Sequence, residues 1–462
     1  MLFTTFPFLG FLLLVLALFY GLPQQYRRVL LLVSSLLFYM AWNAKFVVLI
    51  LGLITVDYFA ALWISMRSGG QRRMALLVSL AANIGMLGWF KYANFARETW
   101  AHIFRPAGQI VHPLNIILPL GISFHTFQSI SYVIDVYRGE QAAVTNYVDY
   151  ALFVSFFPQL VAGPIVRARE FFHDLWNWKA PTGAEWQRGV AIILTGFVKK
   201  LVFADQFALI ADRYFVNPTA LPGLLPAWTG TFAFALQIFF DFSGYTDIAI
   251  GVALLFGFHF PENFRRPYLS ASITEFWRRW HMSLSRWLRD YVYFSLGGNR
   301  QGELRTYLNL MLTMLLGGLW HGASWNFVIW GGYHGALLAV ERMVWGRGER
   351  RGLMRIPLGV VTFVLVCIGW VFFRAKTLDA ALFVLRQMFT IDDPGRSLLG
   401  PWQWRLALLG LLVALAEEFR GMLTRLAVSP AWARTLALVA ALLIIELFSA
   451  TEQTIPFVYF QF

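Results

Sequence analysis

A chain of 462 residues that is 58% hydrophobic, 17% aromatic and only 14% charged cannot hide its apolar surface as a soluble globule. Average soluble domains carry about 25% charged residues, and the mean hydropathy here is +0.59, so the expected solvent is the bilayer. The net charge of +13 fits positive loops between membrane helices and is no nucleic-acid signal. The single cysteine, Cys367, lies inside the apolar FVLVCIGW, which excludes an intrachain disulfide and offers no thiol chemistry.

In chain order, apolar runs near bilayer length fall at 4–21, 29–42, 46–65, 74–90, 114–134, 147–165, 228–258, 304–320, 324–343, 356–374, 402–416 and 431–449. Several are short or interrupted. The pattern predicts an all-α polytopic membrane protein with about ten to twelve transmembrane helices plus re-entrant or interfacial ones. The first run has no basic residue ahead of it and no small-residue cleavage site behind it, so it reads as a retained helix. Arg27 and Arg28, then Arg67, Arg72 and Arg73, lie in short loops two helices apart. They share a side, which the positive-inside rule makes cytoplasmic, placing the N-terminus outside.

No internal repeat or low-complexity segment is visible, and residues 1–462 read as one membrane domain. Polar interruptions fall at 91–113, 166–190 and above all 259–305. The last carries Arg265, Arg266, Arg278, Arg279, Arg286, Arg289, Arg300 and Arg305, with Glu262, Glu275, Asp290 and Glu303 among them. Trp277, Trp280, Trp287, Tyr291 and Tyr293 recur there within a few turns, so 273–294 fits helices lying at the interface or dipping partway in. An amphipathic surface helix with arginine anchors would give the same pattern without any function.

Ionisable groups at membrane depth are costly, and three places carry them. In IFFDFSGYTDIAIGVALLFGF, Asp241 and Asp247 point to different faces of a helix and are not expected to pair with each other; Asp247 reads equally as a buried hydrogen-bond hub. In FWRRWHMSLSRWLRDY, His281 is flanked by tryptophans and arginines and on a helix would share a face with Ser285. In GGLWHGASWNFVIWGGYHG, His321 follows paired glycines that allow backbone or ligand to approach closely. His321 and His334 would stand about 20 Å apart along a continuous helix and could share no metal ion unless it breaks. With no acid or cysteine nearby, a metal site is not expected. A neutral histidine in an apolar pocket suits the abstraction of a hydroxyl proton, while a buried structural histidine is the plainer reading. His125 and His334 read as core residues.

These segments occur together and in order, and in that combination the chain resembles the bacterial branch of the membrane-bound O-acyltransferase family. That branch contains the alginate O-acetylase and the D-alanyl transfer protein for teichoic acids. The resemblance rests on LPLGISFHTFQSISYVIDVYRG (119–139), FVSFFPQLVAGPIVR (153–167), FDFSGYTDIAIGVALLFGFHFPENFRRPYLS (240–270), FWRRWHMSLSRWLRDYVYFSLGGNR (276–300) and GGLWHGASWNFVIWGGYHG (317–335). It implies a single family domain with a motif-bearing core over about 114–345, folded as a ring of helices around a central tunnel. It also implies that His321, in the WHG motif, is the catalytic base and that His281, in the RWH motif, is the second important histidine.

The resemblance further implies a bacterial inner-membrane enzyme that moves an acyl group, most simply acetyl, from a cytoplasmic thioester. The acceptor is a hydroxyl of an extracytoplasmic polysaccharide such as alginate, or a partner protein of esterase type that then acylates it. Acetyl-CoA or another acyl thioester is expected as donor substrate, with no tightly bound cofactor, no metal and no nucleic acid, and with membrane lipid around the chain. Arginines of 259–305 are candidates to attract a donor phosphate. D-alanyl transfer from a carrier protein is the alternative within the family. From other classes, a proton-coupled transporter or flippase would also use intramembrane carboxylates and histidines, and a structural subunit of an export complex would need no base.

Overall fold

The computed structural model describes residues 3–104, 112–160, 163–346, 354–416, 429–448 and 457–458, and all regular structure among them is helical. The described residues gather into two compact units, Met1–Val190 with Ile248–Pro261, and Ala191–Asp247 with Glu262–Phe462. Four helical stretches are long and apolar enough to cross a membrane on their own: Phe46–Met66, Gly69–Phe104, Leu224–Leu255 and Arg355–Arg374. The fold is that of an all-α polytopic membrane protein.

The first unit opens with α1 (Phe6–Gly21), α2 (Gln24–Asn43), α3 (Phe46–Met66) and α4 (Gly69–Leu87). Pro23 forces the turn between α1 and α2, since it cannot continue a helix but suits the position just before one. A π-turn at Gly88–Tyr92 carries α4 into α5 (Ala93–Phe104), so the polar interruption read from residue 91 is helical as far as Phe104. Polar side chains clamp α3 to α4: Asp57 accepts from Ser79 Oγ at 2.6 Å and from Asn83 Nδ2 at 2.8 Å. In hydrocarbon such bonds have no water to compete with them, and they fix which faces meet. Next come α6 (Ile122–Arg138), α7 (Tyr147–Ser155), α8 (Phe157–Leu160) and α9 (Ala168–Trp176). Among the described residues the apolar run at 147–165 therefore holds two short helices, because the chain breaks at Phe156. Its residues are apolar on every side because they pack inside the unit, where Phe156 meets Phe171 and Phe258.

A long helical stretch outside the apolar runs follows. Helix α10 (Gly183–Phe197) runs through a π-turn at Val198–Ala204 into α11 (Asp205–Phe215). Its middle carries Lys199 and Lys200, which mask the apolar pattern. Helix α12 (Leu224–Leu255) is the most enclosed of the four candidate spans, with 89% of its most apolar window buried. In the second unit, α13 (Ile273–Arg279) and α14 (Met282–Trp287) precede α15 (Glu303–His321), α16 (Trp325–Trp345), α17 (Arg355–Arg374), α18 (Leu378–Gln387), α19 (Pro401–Ala416) and α20 (Ala431–Phe448). The lysines explain the carboxylates of α12: Lys199 Nζ lies 2.7 Å from Asp247, and Lys200 Nζ lies 2.9 Å from Asp241 and 2.7 Å from Asp205. Each aspartate thus has its own cation.

Candidate active site

The site is built in the second unit by helices α12 to α17 and the segment around Asn263. Helix α15 ends on His321, and the chain turns through Gly322–Ser324 before α16 starts. The continuous helix considered for 317–335 is thus broken after His321, and the two halves fold into a hairpin. Small residues permit it. A Cβ on Gly318 would come within 2.2 Å of the Phe327 carbonyl oxygen, and one on Gly331 within 2.4 Å of the Met314 carbonyl oxygen. Backbones this close are the small-residue packing typical of membrane helix pairs. The approach sets His321 against Trp330, ring centroids 5.1 Å apart, and places Phe373 of α17 at 5.1 Å on another side.

His281 arrives from a different direction. The segment at 273–294 is no surface helix: it splits at Trp280–His281, and both residues are fully buried. His281 has φ +41°, in the left-handed region that costs a non-glycine residue about 1–3 kcal/mol. Neighbouring bonds hold it there. The extended segment around Asn263 runs alongside, with Arg265 N–H donating to the Arg279 carbonyl and Met282 N–H to the Asn263 carbonyl, each at 2.9 Å. The side chain of Asn263 completes the clamp. Its Oδ1 accepts from Ser283 N–H at 3.0 Å and Ser283 Oγ at 2.9 Å, and lies 3.3 Å from His281 Nδ1. An oxygen already accepting two bonds fixes the tautomer: Nδ1 carries the proton and donates, and Nε2 keeps the lone pair.

The two histidines meet. Their ring centroids are 6.4 Å apart, with Trp320 at 5.7 Å from His281 and 5.0 Å from His321. Phe242 of α12 stands edge-on to His281 at 4.6 Å. His281 is fully buried and His321 is 4% exposed. His334 lies one ring further along, 4.9 Å from Trp330 and 5.2 Å from Trp277, as a buried member of the same aromatic layer. His125 is buried in the first unit, on α6. Among the described residues no three His, Cys, Asp or Glu side chains gather within metal-binding reach.

What the arrangement can do chemically follows from its contents. Two imidazoles lie buried among aromatic rings, where each electrostatic contact is stronger than in solvent. Sequence reasoning missed Asn263, which sits in the irregular PENFRR with no periodicity to mark it. It also missed Lys199 and Lys200, although two lysines inside GFVKKLVFADQF signal partners for intramembrane carboxylates.

A family model described as membrane-bound O-acyltransferase matches residues 139–375, a stretch containing both histidines. The protein named "Probable alginate O-acetylase AlgI" of Pseudomonas aeruginosa is 46% identical over 402 residues, covering 85% of this chain and 74% of that protein. The peptidoglycan O-acetyltransferase of Helicobacter pylori is 39% identical over 404 residues, covering 81% of this chain and 76% of that protein. The teichoic acid D-alanyltransferase of Bacillus subtilis is 32% identical over 304 residues, covering 61% of this chain and 75% of its own length. The chain belongs to the membrane-bound O-acyltransferase family and is a multi-pass membrane O-acyltransferase.

Proposed function

We propose that the protein is a bacterial inner-membrane O-acetyltransferase with His321 as general base. The observation that carries this reading is the approach of His321 and His281, ring centroids 6.4 Å apart, inside a buried aromatic shell. An acceptor hydroxyl gives its proton to His321 as its oxygen attacks the thioester carbonyl; the thiolate leaves and takes up a proton. A positioned general base contributes about 10²–10⁴-fold. His281, its Nδ1 proton committed to Asn263, offers Nε2 as an acceptor and so holds a hydroxyl or amide donor of a substrate.

Acetyl-CoA or another acyl thioester is the proposed donor, used as substrate and not as a resident cofactor. Of the arginines in 259–305, Arg265, Arg279 and Arg289 pair with Glu262, Glu275 and Asp290. Arg278, Arg300 and Arg305 are exposed with no acidic partner among the described residues, and we assign them to attracting the donor's phosphates. The acceptor is proposed to be an extracytoplasmic polysaccharide such as alginate, reached directly or through an esterase-type partner protein. The identity to relatives named as alginate O-acetylases supports this choice over D-alanyl transfer. One membrane-bound O-acyltransferase domain spanning residues 1–462 is proposed to suffice for the transfer step.

The test uses cells lacking the gene, complemented with wild type or His321→Ala at matched membrane levels. Base-labile acyl esters on surface and secreted glycans are then quantified, and the released acid is identified. Acetate restored by wild type but not by the variant supports the reading. Equal restoration by both overturns the role of His321, and released D-alanine would move the chain to the other branch of the family.

A further inference from the structure

A cavity of about 710 Å³ opens in the first unit where the N-terminal ends of α2 and α7 converge. Gln24, Gln25, Arg27, Arg28, Asn146 and Trp178 are among its lining residues, and nothing in the acyl-transfer chemistry uses them. On the positive-inside reading, its mouth faces the cytoplasm.

Arg27 is the unusual member. Its guanidinium packs against two rings that meet edge to face, with Cζ 4.6 Å from the centre of the Trp178 ring and 5.2 Å from that of Phe19, and its Nε donates to the Leu22 carbonyl at 3.2 Å. Those contacts hold the fork in place while the remaining N–H donors stay available. No acid pairs with Arg27 among the described residues. The nearby carboxylate is already taken: Asp149 accepts from Arg28 Nη1 at 3.0 Å and from Trp176 Nε1 at 2.9 Å. The lining therefore sets two cations against one anion.

Helix polarity adds to this imbalance. Arg27 and Arg28 are the fourth and fifth residues of α2, whose first turn has no acid. Positive side chains beside the positive end of a helix dipole are placed against its preference, and an anion there reverses the sign of the interaction. Asn146 caps α7 with its Oδ1, accepting from Val148 N–H at 2.9 Å, so its NH₂ group remains a donor. A guanidinium with no acidic partner among the described residues, side-chain amides and a helix N-terminus make a lining of donors. The aromatic wall provides a surface for an organic body.

We infer that this cavity binds a phosphate group carried on an organic body, with Arg27 as its principal ligand. A phosphate suits the planar fork, the amide donors and the excess of positive charge together. The volume lies within the 300–1,000 Å³ of ordinary small-molecule sites. The same chemistry is present in an anionic lipid headgroup at the inner leaflet and in a soluble phosphorylated nucleoside.

The test titrates the purified full-length chain, in zwitterionic detergent, with two probes: phosphatidylglycerol, followed by native mass spectrometry, and adenosine 3′,5′-bisphosphate, followed by calorimetry. Saturable binding of either probe, weakened about tenfold or more by Arg27→Gln, is expected; tenfold corresponds to about 1.4 kcal/mol. Which probe binds distinguishes the lipid from the soluble source. Asp149→Asn removes the one anion of the lining and should tighten the same binding, so the two variants move in opposite directions. The inference is overturned if neither probe saturates on the wild type. It is equally overturned if Arg27→Gln, with an unchanged melting temperature, binds as well as the wild type, leaving Arg27 a topological anchor. Should Arg27→Gln not fold, unchanged or weaker binding by Asp149→Asn overturns it. None of these readouts depends on acyl transfer.

Discussion

Asn263 Oδ1 lies 3.3 Å from His281 Nδ1 while accepting two bonds from Ser283, so one buried amide oxygen fixes both the tautomer of the histidine and the chain reversal beneath it. Removing a buried acceptor costs about 1–3 kcal/mol. Asn263→Ala is therefore expected to lower the acyl-transfer rate about 10–100-fold at matched membrane levels. Asn263→Asp, which keeps the oxygen acceptor, should retain more activity than the alanine variant. Rates of ester formation in membrane vesicles supplied with acyl thioester measure this, and equal loss in both variants would refute the acceptor role.

The two histidines should differ in how they fail. With His321 as the base, His321→Ala loses about 10²–10⁴-fold in the chemical step. Because His281 holds substrate in the proposed mechanism, His281→Ala should raise KM for donor or acceptor as well as lower kcat. Steady-state kinetics on both variants separates these outcomes. A pure kcat effect at His281 would assign it to the chemistry instead.

The hairpin that carries His321 depends on an approach only glycine allows. A methyl on Gly318 would lie 2.2 Å from the Phe327 carbonyl oxygen, which is backbone and cannot swing aside. Overpacking of this kind typically costs about 1–3 kcal/mol. Gly318→Ala is expected to lower the melting temperature and acyl transfer together. Gly10→Ala, where nothing lies within 4 Å of the added atom, should change neither. Thermal unfolding monitored by size-exclusion chromatography of detergent-solubilised protein makes the comparison.

Much of this site was legible in the chain itself, and the exceptions have physical causes. His321 and His281 stood out because ionisable residues in apolar surroundings are rare enough to need a reason. Their nearness was not legible, since forty residues separate them and only the backbone reversal at His281 and the break after His321 turn the rings toward each other. A helical period read over 273–294 cannot reveal a residue with positive φ, which is imposed by bonds from Asn263 in another segment. The same limit applies to 147–165, where an apolar run long enough to invite a span is apolar because it is buried on all sides. In α10 and α11 a helical stretch stands where no apolar run was read. Lys199 and Lys200 lower the hydropathy of a helix whose charges are matched by Asp247 and Asp241 across the packing.

That matching makes a strong prediction. Lys200 is 1% exposed and lies between Asp205 and Asp241, so replacing it with Met leaves two carboxylates without their cation. Breaking a buried pair from one side costs about 3–5 kcal/mol. Lys200→Met is expected to unfold at markedly lower temperature or to fail to accumulate. The triple variant Lys200→Met, Asp205→Asn, Asp241→Asn should recover a large part of the loss. Lys199→Met should cost less, because its partner Asp247 has a side chain 24% exposed. Melting curves for the three proteins decide it, and equal effects of the two lysine variants would contradict the burial argument.

The helix that leads to His281 carries a carboxylate whose ion pairs depend on pH. Burial would raise the pKa of Glu275, but the bond from Arg355, the Ala271 N–H and the charge of Arg279 outweigh it and hold the carboxyl below its ordinary 4.5. Arg355 Nη2 lies 2.7 Å and Arg279 Nη2 2.6 Å from Glu275 Oε1. The sign follows from the depressed value. The folded state binds this proton less readily than the unfolded chain, so the stabilisation is present above about pH 4.5 and is lost as pH falls through the lowered folded pKa. Wild type should therefore lose melting temperature on acidification below that point more steeply than Glu275→Gln, which has no carboxyl to protonate. At neutral pH wild type should be the more stable of the two. Melting temperatures from pH 3 to pH 7 test both halves, and parallel curves for the two proteins would show that α13 does not depend on this ion pair.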